Sequence, residues 1–273
     1  MFGVEQLLLL IPSLLIAACC AGLIAGLLGV GGGIVVVPVL LFLFQFWAVP
    51  PEVAMHFAVG TSLGLIIFTA FSSARSHWRK GNLVVPLLRS WGVGIAFGAV
   101  LSGLTLRFYS LETLKIIFAA VVFLAALNLL RKRPWVICAE PPLKLLTGAP
   151  IGFCIAYISG LMGIGGGTMS VPAMTACSVR AHKAVGTSAG FNMLIALFAT
   201  VGMMLGGQGV ESGLWGSVGF VNLPIIAVMF PVTMLVAPWG AALAQRLSER
   251  LLRGLFAAFL LLVSARMGLG LFG

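Results

Sequence analysis

A glycine-rich pattern occurs twice in this chain, and that duplication limits the available folds more than any other feature. Gly26-Leu-Leu-Gly-Val-Gly-Gly-Gly-Ile-Val-Val-Val-Pro38 returns as Gly160-Leu-Met-Gly-Ile-Gly-Gly-Gly-Thr-Met-Ser-Val-Pro172, 134 positions on (26 to 160). Ala58-Val-Gly-Thr-Ser-Leu-Gly64 returns as Ala184-Val-Gly-Thr-Ser-Ala-Gly190, 126 positions on (58 to 184). Gly81 and Pro86 have counterparts in Gly219 and Pro224, and Phe118-Ala-Ala in Phe256-Ala-Ala, 138 positions on (118 to 256). Four blocks in one order make the chain a tandem of two similar halves. His56 and His182 are mates in this register, as are Cys20 and Cys154.

Each half carries five apolar segments, near 6–28, 34–46, 54–74, 83–106 and 113–130, then 144–163, 168–179, 184–206, 218–244 and 251–271. Most reach the roughly 20 residues that cross a bilayer. With 61% hydrophobic and 8% charged residues and a mean hydropathy of +1.17, the chain cannot cover a soluble surface. The second segment of each half is too short to span. Pro38 and Pro172 fit best in a first helical turn, after short extended stretches. That leaves about ten helical residues beyond each, or roughly 15 Å. The expected fold is an all-α integral membrane protein of two inverted-topology repeats, with short half-helices after the Gly-rich loops. The divisions are an N-terminal repeat over 1–130, a basic linker over 131–143 and a C-terminal repeat over 144–273. The N-terminus lacks the basic start of a cleaved signal peptide, so its apolar run reads as part of the mature protein.

An odd number of segments turns the second half over, and the loop charges point the same way. Loop 47–53 has no Lys or Arg, whereas its mate at 180–183 has Arg180 and Lys183; loop 75–82 has Arg75, Arg79 and Lys80, whereas its mate at 207–217 has only Glu211. Basic loops stay in the cytoplasm. Loops 75–82, 131–143, 180–183 and 245–250 then lie inside, loops 47–53 and 207–217 outside, and both termini outside. The connection with Arg107 and Lys115 falls outside against this rule. The formal net charge of +10 is cytoplasmic loop charge and not a nucleic-acid surface.

Two glycine triplets head the candidate site, Gly31, Gly32 and Gly33 in one half and Gly165, Gly166 and Gly167 in the other. Three glycines in a row let backbone N–H groups turn toward a ligand, and beside a helix N-terminus they form an anion cradle. The competing reading is close helix packing of the Gly22/Gly26 kind. Thr61, Ser62, Thr187 and Ser188 add hydroxyls in the third segments, with Asn192 one turn beyond; a Thr or Ser there can equally bond its own backbone. Asn192 corresponds to Ile66 in the repeat, and Thr168 and Ser170 have Ile34 and Val36 as mates, so the site is expected to be asymmetric. His56, His182, Lys183 and Arg75 are candidates for a proton or anion relay, or are interfacial and topology-setting residues.

Asp is absent and the six Glu lie at or beside loops, so a carboxylate relay has no residue to use. The five Cys show no CxxC or Cys/His spacing, so neither a disulfide framework nor a metal site is expected. No HExxH, GxSxG or GxxxxGK[ST] occurs, which points away from an enzyme, and no cofactor is implied.

The duplicated G-x-x-G-x-G-G-G-x-x-x-x-P, the A-V-G-T-S in each half and the basic loop ending Arg79-Lys80-Gly81-Asn82 resemble the TauE/SafE sulfite exporter family, also called the toluene sulfonate uptake permeases (TSUP). The resemblance covers nearly the whole chain. It implies a secondary transporter in a bacterial or archaeal cytoplasmic membrane whose partner is a small sulfur-containing anion, sulfite or an organosulfonate. It places the substrate at the glycine triplets and the Thr-Ser pairs. An anion channel or an uptake permease is the other functional reading, and the chain leaves open whether it works as a homo-oligomer. The orientation is testable: with the native cysteines replaced, Glu211→Cys should react with an impermeant maleimide on intact cells and Lys80→Cys only after the membrane is opened. Labelling of both from one side would rule out opposed halves.

Overall fold

The computed structural model describes residues 4–28, 33–47, 49–130, 137–211 and 213–269. The first half forms α1 (Val4–Leu28), α2 (Gly33–Phe46), α3 (Pro51–Arg79), α4 (Val85–Thr105) and α5 (Leu111–Leu130), with one 3-10 turn at Leu106–Phe108. The second forms α6 (Leu145–Leu161), α7 (Gly167–Ala176), α8 (Ala181–Gly206), α9 (Leu223–Arg246) and α10 (Glu249–Leu269). A two-residue ribbon, β1 (Ser217–Val218) with β2 (Val221–Asn222), precedes α9. Five of the described helices, α3, α4, α5, α8 and α9, are long and apolar enough to cross a membrane. The chain is an all-α integral membrane protein apart from that ribbon.

The helix boundaries follow local chemistry. Pro51 starts α3 where a missing N–H costs nothing; Glu52 lies in its first turn and Arg79 in its last, each complementing the helix dipole. Gly81, at φ +64°, ends the following turn in the left-handed region. Asn222 caps α9 by accepting from the Ile225 N–H at 2.9 Å.

One expectation needs correction here. Pro38 and Pro172 are not in a first turn: each is the sixth residue of its helix, because α2 begins at Gly33 and α7 at Gly167. The stretches before them, 34–37 and 168–171, are helical instead of extended. Each helix starts where its glycine loop ends, and an internal proline then removes a single ladder bond. Both helices remain short, at 14 and 10 residues.

Glycine lets helices from different halves touch backbone to backbone. Gly94 and Gly98 of α4 lie against the Ala149 and Phe153 carbonyls of α6, and Gly152 of α6 lies against the Trp91 carbonyl. In the mate crossing, Gly22 of α1 sits on the Thr233 backbone of α9. Helices α3 and α8 run antiparallel through the centre. Lys183, at the start of α8, donates to the Gly81 carbonyl beyond α3 at 2.6 Å. At the other end Phe220, against the start of α3, donates to the Met203 carbonyl of α8 at 3.2 Å. The most apolar stretch of α3 is 78% buried, against 22% for α5, so α3 is central and α5 peripheral. Helix α5 packs on α10, where Ser264 donates to the Ala119 carbonyl at 2.9 Å.

A second correction concerns the cysteines. Cys138 and Cys177 form a disulfide, with Cα atoms 4.6 Å apart, although the sequence shows no cysteine motif. The pairing arises from docking: the N–H groups of Ile137 and Cys138 both donate to the Ala176 carbonyl at the end of α7, at 2.7 and 3.2 Å, and Ser178 donates to the Cys138 carbonyl at 3.1 Å. Spacing along the chain carries no trace of that contact. Protein purified in air and denatured should therefore show three reactive thiols, from Cys19, Cys20 and Cys154, rising to five after reduction. Five thiols without reductant would show that the pair does not close.

Candidate functional site

The two glycine-rich loops meet. A Cβ on Gly33, the first residue of α2, would fall 2.9 Å from the Ile164 Cα of the other loop and 2.8 Å from Ile66 Cδ1. Gly163, at φ +65°, lets that loop turn tightly against Val59 of α3, whose Cα would be 2.9 Å from a Cβ there. Ser62 ties the contact down, donating to the Gly163 carbonyl at 2.9 Å while fully buried. Gly31 and Gly32 lie outside the described residues.

Polarity gathers on the second-half loop. Gly165, Gly166 and Gly167 curl around the Asn192 carboxamide of α8. A Cβ on Gly165 would be 3.2 Å from its Cγ, one on Gly166 3.5 Å from its Oδ1, and one on Gly167 3.3 Å from its Nδ2 and 3.9 Å from Ser188 Oγ. Ser188 itself donates to the Val185 carbonyl at 2.8 Å. Among the described residues, no acceptor takes the backbone N–H groups of Gly165, Gly166, Gly167 and Thr168; the last two open α7, where a helix leaves its N–H groups unpaired. The buried oxygens Thr168 Oγ1, Ser170 Oγ and Asn192 Oδ1 also have no hydrogen-bond partner. In the first half the matching positions are apolar: Ile34 and Val36 are 2% exposed, and Ile66, not an amide, meets Gly33.

The threonines do a different job. Thr61 Oγ1 accepts from the Asn222 N–H at 3.1 Å, and Thr187 Oγ1 accepts from the Val84 N–H at 2.9 Å. Gly60 lies against the Phe220 carbonyl just as Gly186 lies against that of Asn82. These are mates in the 138-position register (82 to 220, 84 to 222), so each Gly-Thr pair clamps the segment that enters the other half's fourth helix. Each hydroxyl keeps one hydrogen to donate. Sequence reasoning missed Asn222, although an Asn two residues before Pro224 is a helix-start signal.

The relay candidates are not brought together. His56 Nε2 donates to the Tyr109 carbonyl at 3.0 Å, tying α3 to the turn before α5, and its Nδ1 is buried without a partner. The Tyr109 hydroxyl bonds that of Tyr157 at 2.9 Å, which raises the Tyr109 pKa above its ordinary value. His182 is exposed at the opposite end of the α3/α8 pair, next to Lys183, which is engaged with Gly81. Arg75 is exposed on the last turns of α3.

A family model described as "Sulfite exporter TauE/SafE" matches residues 14–267. A "Probable membrane transporter protein" of Haemophilus influenzae is 32% identical over 93% of this chain and 96% of its own length. "Probable membrane transporter protein MJ0441" of Methanocaldococcus jannaschii is 26% identical over 93% of this chain and 94% of that protein, and YunE of Bacillus subtilis, under the same description, is 26% identical over 93% and 96%. No solved structure matches.

The threonine clamps can be tested separately from transport. Thr61→Val or Thr187→Val strands a buried N–H, at a cost of about 1–3 kcal/mol, and each should lower the thermal midpoint in detergent by several degrees. The Ser variants keep the oxygen and should unfold close to the parent. An unshifted midpoint in both Val variants would show that the clamps hold nothing.

Proposed function

Because this chain belongs to the sulfite exporter TauE/SafE family and is a multi-pass membrane transporter, we propose that it carries a small sulfur oxyanion, sulfite or an organosulfonate, out across the cytoplasmic membrane. The observation behind this reading is the second-half loop. Four backbone N–H groups from Gly165 to Thr168 open a helix beside Asn192, Thr168 and Ser170, all with unused hydrogen-bonding capacity. A sulfo group presents three oxygens and a negative charge, and a helix N-terminus favours both. The Asn192 amide can turn in its plane to offer Nδ2. On the other side of the proposed site Gly33 packs against Ile164 and Ile66, and Ser62 holds the second-half loop through the Gly163 carbonyl.

The proposed mechanism is alternating access by two inverted repeats, 1–130 and 144–273, joined by the cytoplasmic linker, with both termini outside. Three features support it: reversed loop charges, the antiparallel course of the mates α3 and α8, and crossings that map onto each other when the halves are exchanged. Sites of inverted-repeat carriers lie between the halves near mid-membrane, where broken helices end. Export is the favoured direction, because an anion leaving an inside-negative cell gains about 2.3 kcal/mol per charge per 100 mV.

Proteoliposomes loaded with sulfite or a sulfonate should show efflux above empty vesicles, and Asn192→Leu should reduce it at least tenfold while leaving the thermal midpoint near that of the parent. No flux of any sulfur anion, or full activity in Asn192→Leu, would overturn the assignment. Single-channel steps in a planar bilayer would replace the carrier mechanism with a pore.

A further inference from the structure

The candidate site is polar without being charged. Residues 6–74, 145–179 and 184–210 contain no Lys or Arg, and these stretches supply α2, α7 and the parts of α3, α6 and α8 that meet there. Ionisable groups on the surrounding elements stand toward the helix ends: Glu52, His56, Arg75, His77 and Arg79 in α3, His182 and Lys183 in α8, Glu112 and Lys115 in α5, and the exposed Arg89 in α4. Lys144 and Arg180 are the N-cap residues of α6 and α8. Lys183 is nine positions before Asn192 (183 to 192), about 13 Å along α8, and its ammonium is bonded to the Gly81 carbonyl. His56 is six positions before Ser62 (56 to 62), about 9 Å along α3, and its ring is bonded to the Tyr109 carbonyl.

Single and double charges fare differently in such a site. The cost of burying an ion rises with the square of its charge, so a dianion loses about four times the hydration free energy of a monoanion of equal size. Against that, the α7 N-terminus offers the equivalent of about half a positive charge, and the N–H groups from Gly165 to Thr168 are neutral dipoles. The acceptors point the same way. Asn192 is 8% exposed, and its Oδ1, which can only accept, is buried with no donor among the described residues. That oxygen faces the glycine loop, 3.2 and 3.5 Å from where Cβ atoms on Gly165 and Gly166 would be. An oxyanion that keeps one proton can donate it there; a fully deprotonated one turns only lone pairs toward it. Ser170 Oγ, fully buried and also without a partner, can donate or accept and does not discriminate.

The geometry points to a carrier that selects singly charged sulfur oxyanions, taking bisulfite and excluding both the sulfite dianion and sulfate. This rests on the sulfur-oxyanion reading above and adds the charge state of the cargo. Bisulfite and sulfite interconvert near neutral pH, so the proton that matters is the anion's own. Export slows as the cytosol turns alkaline, with no titrating side chain needed in the site. Sulfonates, singly charged throughout that range, meet the same requirement. Sulfate fails it on charge alone.

The test uses the intact protein in proteoliposomes, with equal pH on both sides, sulfite below half-saturation and protein-free vesicles as the blank. At constant total sulfite, efflux should fall at least tenfold from about pH 6 to about pH 8.5, tracking the bisulfite fraction. When total sulfite is raised with pH to hold bisulfite constant, efflux should stay within about twofold. Sulfate in roughly tenfold excess should not slow sulfite efflux at either pH. Flux that holds or rises at constant total sulfite shows that the dianion is carried. A fall at constant bisulfite shows that the protein titrates instead, and competition by sulfate shows that two charges are accepted. Each of these overturns the charge selection while leaving sulfur-anion transport in place; no flux of any sulfur anion overturns both.

Discussion

A backbone N–H at membrane depth has no water to bond, so the protein must supply every acceptor. That requirement bears hardest at helices too short to cross a bilayer, as α2 and α7 are at 14 and 10 residues. Around them the structure spends side-chain oxygens on main-chain donors: Thr61 on Asn222, Thr187 on Val84 and Asn222 on Ile225. Against this pattern of satisfied groups, the unengaged donors from Gly165 to Thr168 stand out, as do the partnerless oxygens of Thr168, Ser170 and Asn192. His56 Nδ1, His77 Nδ1 and Thr200 Oγ1 are buried without partners as well, and what sets the three oxygens apart is their place beside four unengaged backbone donors at one loop.

The glycines serve two ends with one property. In α4 and α6 the absence of a Cβ brings two helix backbones into contact, whereas at Gly163 and Gly165 it lets a loop bend around Val59 and Asn192. Close packing, one of the two roles raised by the sequence, is thus seen at the helix crossings, while at Gly163 and Gly165 the missing Cβ serves a loop bend. Helix crossings made of backbone contact leave no room for a side chain between the two helices.

Much of the architecture was legible because it is written twice. The register of 138 positions linked Gly81 to Gly219, and the structure extends that equivalence to Asn82 and Phe220, Val84 and Asn222. The asymmetry of Asn192 against Ile66 could also be read directly. What the threonines touch could not, since a hydroxyl in an apolar helix looks the same whether it faces a substrate or another strand. Pro38 and Pro172 misled for a different reason: a first-turn preference is statistical, and here the end of the glycine loop sets the helix start instead. The Cys138 to Cys177 bond depends on where the linker docks, and no spacing rule reaches that.

The crossing of α1 with α9 has a consequence for biogenesis. Helix α1 leaves the ribosome ahead of the other described helices, and its backbone partner begins about 200 residues later, or some 10–40 s at synthesis rates of about 5–20 residues per second. Helix α4 waits far less for α6. For that interval α1 sits in the nascent bilayer with Gly22 facing lipid, an open seam that a chaperone or a wrong neighbour could occupy. Helix α9 therefore decides when α1 is folded.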